Sequence, residues 1–190
     1  HYNEKLQEYQ HDLKTLVHVK TLELNKTLNE LKAQKLELTD SISYAKRIQK
    51  AILKNPISIK NLLPQSFFLY KPKDIIAGDF YWVECIDDYI LFAVADCTGH
   101  GVPGAIISVV CHNAIKRAIR RTGSNDPALI LDKTRELVIE TFEGSEEDIK
   151  DGMDIALCIY NTKTNELSYA GANISLHYIS NNELTIIKAN

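Results

Sequence analysis

Asp79 and Asp96 are the two residues whose type and placement most suggest chemistry. Asp79 follows Gly78 and opens an aromatic segment, "DFYWVECI" (79–86). Asp96 ends the apolar run "YILFAVA" (89–95) and is followed by Gly99, His100 and Gly101. If the two segments are neighbouring strands, both carboxylates fall at one end of a sheet. Two carboxylates there, with glycines that let backbone carbonyls approach, make a hard oxygen-donor site suited to Mg²⁺ or Mn²⁺. Two such ions would activate water and hold a phosphoryl group for in-line attack. The residues alone also admit a plainer reading, in which an acid and a Gly-rich turn simply start a helix.

The elements that would hold these acids can be read from pattern. Besides 79–86 and 89–95, "FFLYKP" (67–72) is rich enough in aromatic residues to be expected as a strand. The unbroken apolar run of 89–95 predicts a strand covered on both faces, and Asp87-Asp88 predicts the hairpin turn before it. A helix is expected over 103–121, with Ala105, Ile106, Val109, Val110 and Ala114 inward and the basic "KRAIRR" at its C-terminus before Gly123. A second helix starts at Asp126 as N-cap with Pro127 in the first position and runs to about Phe142. An acidic loop follows, "EGSEEDIKDG", and then strands at 154–161, 166–172, 175–180 and 183–188, with turns at Asn161–Asn165 and Asn181-Asn182. Strands, two helices and more strands describe an α+β domain with an antiparallel sheet.

Residues 1–55 are different. They contain no glycine or proline, and Val17, Leu24, Leu31, Leu38, Ala45 and Ile52 stand seven residues apart. Leu28 and Ile42 take the companion positions, as do the polar Lys14, Thr21, Lys35 and Gln49; Leu6 and Leu13 are offset by four, the sequence form of a stutter. A one-sided stripe of this length needs a partner helix, so a parallel homodimeric coiled coil through 1–55 is expected. The polar positions weaken that seam, which suits a signalling helix as well as a spacer. "NPISIKNLLP", between Asn55 and Pro64, reads as the core of a linker over 56–66, leaving 67–190 as the second domain.

Charge narrows the function. Residues 1–55 carry ten basic against seven acidic side chains, whereas 56–190 carry twelve against eighteen. A domain at −6 is poorly suited to a nucleic-acid backbone, which argues against a nuclease and sets nucleic acid aside as a partner. Cys85, Cys97, Cys111 and Cys158 include no C-x-x-C pair, so reduced thiols in a cytoplasmic protein are expected, not a zinc site or disulfide framework. No apolar run is long enough to span a membrane, although tethering to a membrane sensor outside this segment stays open.

"AGDFYW", followed seventeen residues later by "ADCTGHGVPGA", resembles the SpoIIE/RsbU branch of the metal-dependent (PPM-type, type 2C) protein serine/threonine phosphatases. "ELSYAGANISLHYI" is similar to a later strand segment of that family, and "SISYAKRIQKAILKN" to its coupling helix. The resemblance implies a long helix followed by an α-β-β-α sandwich with antiparallel sheets, its last part missing. It implies two Mn²⁺ or Mg²⁺ ions in the complete domain, ligated by Asp79, Asp96 and the backbone carbonyl of Cys97. Gly78, Gly99 and Gly101 would allow the close turns, and His100 would pack and hydrogen-bond at the helix start sooner than donate a proton. The implied substrate is a phosphorylated signalling protein such as an anti-sigma-factor antagonist, with an upstream sensor domain and a homodimer as partners. Departures are Ala77 for the first glycine, Trp82 where an acid often stands, and Ala172-Asn173 for Gly-His. Asp151 and Asp154 of "DGMD" are candidate metal ligands by type, but their place after the loop favours a turn and strand start. The family's later S-D-G and D-D or D-N motifs lie beyond Asn190, so weak metal binding and low turnover are expected of these 190 residues. The alternative is a non-catalytic dimerisation and protein-binding module, a pseudophosphatase.

Overall fold

The computed structural model describes residues 2–123, 125–143 and 151–189; most of the acidic loop expected at 143–152 lies outside them. Compactness divides the chain into two units, His1–Tyr44 and Ala45–Asn190.

The first unit belongs to α1 (Tyr2–Ile52), a helix built from strong helix formers without an interior breaker. Leu6, Leu13, Val17, Leu24, Leu28, Leu31 and Leu38 are all exposed along it.

The second unit takes in the end of α1 from Ala45 onward. Where a linker was expected, the chain forms α2 (Pro56–Leu62), with Asn55 Oδ1 accepting from Ile57 N–H at 2.9 Å and proline in the first turn. Residues 67–72, expected as a strand, are irregular. Phe67 and Leu69 are largely exposed, while the Phe68 and Tyr70 rings lie 4.8 and 5.6 Å from that of Tyr81. The alternation is that of a strand, but no ladder partner pairs with it among the described residues.

Four antiparallel strands follow in the order β1 (Phe80–Ile86), β2 (Tyr89–Cys97), β3 (Met153–Asn161), β4 (Leu167–Ala172). A separate hairpin joins β5 (Leu176–Ser180) to β6 (Glu183–Ile187). The turns form where expected, with positive φ at Asp87, Asn165, Asn181 and Asn182. Between β2 and β3 run α3 (Gly101–Thr122) and α4 (Pro127–Phe142). Gly123 closes α3 in the left-handed conformation with its N–H on the Ile119 carbonyl, and Asp126 caps α4 through Ala128 N–H at 2.9 Å.

The core lies between the sheet and these helices. Phe80 and Trp82 of β1, Leu91, Ala93, Ala95 and Cys97 of β2, and Ile155, Leu157 and Ile159 of β3 pack against Ile107, Cys111, Ile115, Ile130 and Leu137. Two expectations need correction here. The inward stripe of α3 is 104/105, 107/108, 111/112, 114/115 and 118/119, so Ile106 faces solvent and Val109 and Val110 are only half-buried. And β2 is covered on both faces only near its start: toward its end alternate residues surface, and Val94 is 53% exposed. The fold is α+β, a long N-terminal helix followed by an antiparallel sheet with helices on it.

Candidate functional site

The β1–β2 register decides where the two acids go. The last ladder pair is Phe80↔Ala95, so Asp79, one residue earlier, falls opposite Asp96, one residue later. Their carboxyl groups are close enough to interact, and both residues are exposed. Partial desolvation, and then the Asp96 carboxyl and its charge, hold the Asp79 carboxyl above the usual carboxylate range. On the other side of β2, Asp96 pairs with Asp154 of β3. Residues paired across strands share a face, so three acids lie in one row at one sheet end. That face is opposite the one packed on α3 and α4.

The glycines are explained by backbone crowding. A Cβ on Gly78 would stand 2.7 Å from the Gly99 carbonyl oxygen and 3.1 Å from that of Cys97. Thr98 N–H donates to Gly152 O at 3.0 Å, which makes Cys97↔Met153 a non-hydrogen-bonded pair and turns the Cys97 carbonyl toward β1. The Cys97 side chain points the other way, to Cys111 in the core. Gly99 and Gly101 both have positive φ, 85° and 63°.

His100 is the N-cap residue of α3, yet its side chain makes no cap bond. Its Nδ1 lies 3.0 Å from Asp74 Oδ2, and both side chains are exposed. Trp82 sits two positions beyond Phe80 and faces the core, 3% exposed, so an acid there would not reach Asp79. Asn173, with φ 63°, donates from Nδ2 to Asp154 Oδ1 at 2.7 Å.

Sequence reasoning missed two participants outright and gave two others, Asp154 and Gln49, different parts. Gly104 is one: a Cβ there would collide with the Gly99 carbonyl, and its signal was the third glycine of "GHGVPG". Asp154 could have been found by pairing its strand with Asp96. Asp74 gave no signal, since its contact with His100 spans 26 residues, and the heptad spacing places Gln49 in a helix–helix seam instead.

The oxygen donors fit a hard divalent cation in kind. A proton or a cation between two neighbouring carboxylates relieves their repulsion, and the Cys97 and Gly99 carbonyls converge on Gly78 beside them. Among the described residues, no group of three or more His, Cys, Asp or Glu is arranged to hold a metal ion.

Comparison with known proteins then decides the lineage. The family model of Stage II sporulation protein E (SpoIIE) matches residues 86–189, more than half of the chain. The chain belongs to the SpoIIE family. One solved structure supports a PP2C-like fold. The SiaA PP2C domain of Pseudomonas aeruginosa is 34% identical, with a TM-score of 0.68 over 83% of this chain and 62% of that one. A structure from the bacterial stressosome is 22% identical, covers 62% of this chain and 55% of its own, and has a TM-score of 0.46, too weak to bear on function. No curated protein gives a significant match. The SpoIIE-family chain thus spans about three-fifths of the SiaA domain structure and has a PP2C-like fold. No helix among its described residues is long and apolar enough to cross a membrane.

Proposed function

We propose that this SpoIIE-family domain is a metal-dependent protein serine/threonine phosphatase acting on a phosphorylated signalling protein such as an anti-sigma-factor antagonist. The observation that carries the reading is the Asp79–Asp96 pair at the end of β1 and β2. Asp79 and Asp96, with the Cys97 carbonyl, are the groups that would hold Mn²⁺ or Mg²⁺. When bound, such ions supply Lewis acidity toward a phosphoryl group and lower the pKa of water. The protein's own contribution is placement. Antiparallel pairing fixes the two carboxylates side by side, the glycines bring carbonyl oxygens next to them, and Asn173 orients Asp154 at the edge of the row. His100 is held by Asp74, and we assign it a structural part at the start of α3.

The N-terminal helix is proposed to dimerise and to connect the domain to an upstream sensor, in the cytoplasm or tethered to a membrane from outside this segment. The test is dephosphorylation of a phosphoserine protein by the full-length gene product with and without Mn²⁺. Asp96→Asn should reduce turnover by more than the roughly 10–100-fold that loss of a mere outer-shell partner costs a metal site. Retained activity would overturn the assignment. A second reading, a non-catalytic protein-binding module, is favoured by the lack of a three-residue metal cluster among the described residues. It predicts that calorimetry detects no Mn²⁺ uptake by the full-length protein.

A further inference from the structure

Gln49 stands near the end of α1, where heptad spacing assigned it to a helix–helix seam. Its side chain is instead 6% exposed within the 45–190 unit. Nε2 donates to the Ala77 carbonyl at 2.6 Å and to Ser108 Oγ at 3.0 Å, and Oε1 accepts from Ala77 N–H at 3.3 Å. Ser108 Oγ in turn donates to the Ala105 carbonyl at 2.7 Å, which leaves its oxygen to accept from Gln49. One carboxamide thus satisfies both backbone groups of a single residue, as a neighbouring strand would.

The identity of that residue matters. Ala77 is buried, lies two positions before Asp79, and precedes the first ladder pair at Phe80. Sheet pairing therefore does not reach it, and the Ala77-Gly78-Asp79 segment depends on other contacts for its path. Gly78 is pressed against the Gly99 and Cys97 carbonyls, so a small displacement of Ala77 would also move the oxygens around Asp79. A buried amide that only filled a gap in the core could meet its hydrogen bonds anywhere. This one commits both its ends to the residue that leads into the carboxylate pair.

We propose that Gln49 is a positioning residue for Asp79: its two-ended clamp on Ala77, braced by Ser108, holds the Ala77–Asp79 segment so that the Asp79 carboxylate stands beside Asp96. Its relevance to metal rests on the phosphatase reading above; the clamp itself does not. Gln49→Met keeps the length of the side chain and removes every one of its hydrogen bonds. In the metal-free full-length protein, amide exchange over Ala77–Asp79 should accelerate about tenfold or more, with the β2 and β3 amides unchanged. Mn²⁺ affinity by calorimetry should weaken about tenfold, as expected when the two bonds to Ala77 are among those lost. Ser108→Ala, which leaves both Ala77 bonds in place, should change either quantity less than threefold.

Unchanged exchange over Ala77–Asp79 overturns the proposal, as does faster exchange with unaltered Mn²⁺ affinity. If Gln49→Met loosens the whole unit, Gln49→Glu decides. Held protonated in so buried a place, its carboxyl can still accept from Ala77 N–H and donate to the Ala77 carbonyl, so local exchange slower than in Gln49→Met supports the clamp and exchange as fast as in Gln49→Met overturns it. Failure of the metal reading shows differently: the unaltered protein takes up no Mn²⁺, and the exchange measurement alone upholds or overturns the clamp.

Discussion

Asp79 and Asp96 lie side by side although each carries a charge of the same sign when ionised, and partial desolvation adds to the penalty on Asp79. A fold without a cation must keep a proton on the pair or bear the repulsion. Asp79→Asn removes that conflict, because an amide can donate to Asp96 without a titratable proton. The metal-free Asp79→Asn variant should therefore melt at a higher temperature than the unaltered protein at pH 7. Mn²⁺ should reverse the order, since a ligand that binds only the folded state stabilises by mass action and the variant has lost a donor for it. Scanning calorimetry with and without Mn²⁺ checks both halves. A lower melting temperature for the metal-free variant would mean that the carboxylate has a stabilising partner within the protein. The acid pair was legible in the sequence because a hairpin places the residue before one strand opposite the residue after the other. Asn173 and Asp74 were not, because their contacts with Asp154 and His100 span 19 and 26 residues with no local pattern between them.

Elements were readable where the local signal and the packing agree. Asp126-Pro127 announced α4 correctly, and the same arrangement at Asn55-Pro56 marks α2 inside what was read as linker. Residues 67–72 have a strand's alternation but lack a ladder, and alternation alone does not make a strand. In α3 two apolar stripes overlap, and only the sheet decides that Ile107 rather than Ile106 turns inward. The same helix presents His112 to the core. Its ring lies 5.9 Å from Phe80, and its Nδ1 finds no protein partner. Burial first, and then the Lys116 charge, push the imidazole pKa down; Glu84 and the nearby Ile52 backbone oppose this in part. The unfolded chain therefore takes up a proton near pH 6.5 that the folded protein still refuses. Stability is complete above that value and declines as pH falls through it toward the lower folded pKa. The unaltered protein should lose melting temperature between pH 7.5 and about 5.5 more steeply than His112→Gln, which has no imidazole to titrate. Parallel pH slopes would contradict this.

At the scale of the whole molecule, the apolar stripe of α1 and the second unit pose different problems. The second unit buries its hydrophobic side chains between sheet and helices. Residues 2–44 bury almost none: Val17, Leu24, Leu31 and Leu38 are 56–69% exposed. A lone helix gains little from propensity, since most helical stability in water comes from packing one apolar face. The seven-residue spacing would supply such a face if, as proposed above, a second copy of the same helix packs on it. Gln49, although in register with it, is buried against Ala77 and Ser108, so a seam that follows the ladder has to end before that residue. Lys14, Thr21 and Lys35 sit at companion positions of the same seam, where polar groups lower coiled-coil stability. The expected result is a dimer that dissociates on dilution. Sedimentation equilibrium should find a reversible monomer–dimer exchange for the full-length protein, and replacing Leu24 and Leu31 together by Asp should leave monomer only. Because both side chains are exposed within the monomer, the double variant should retain the melting transition of the 45–190 unit. Dimers that survive the double substitution would locate the interface outside the stripe.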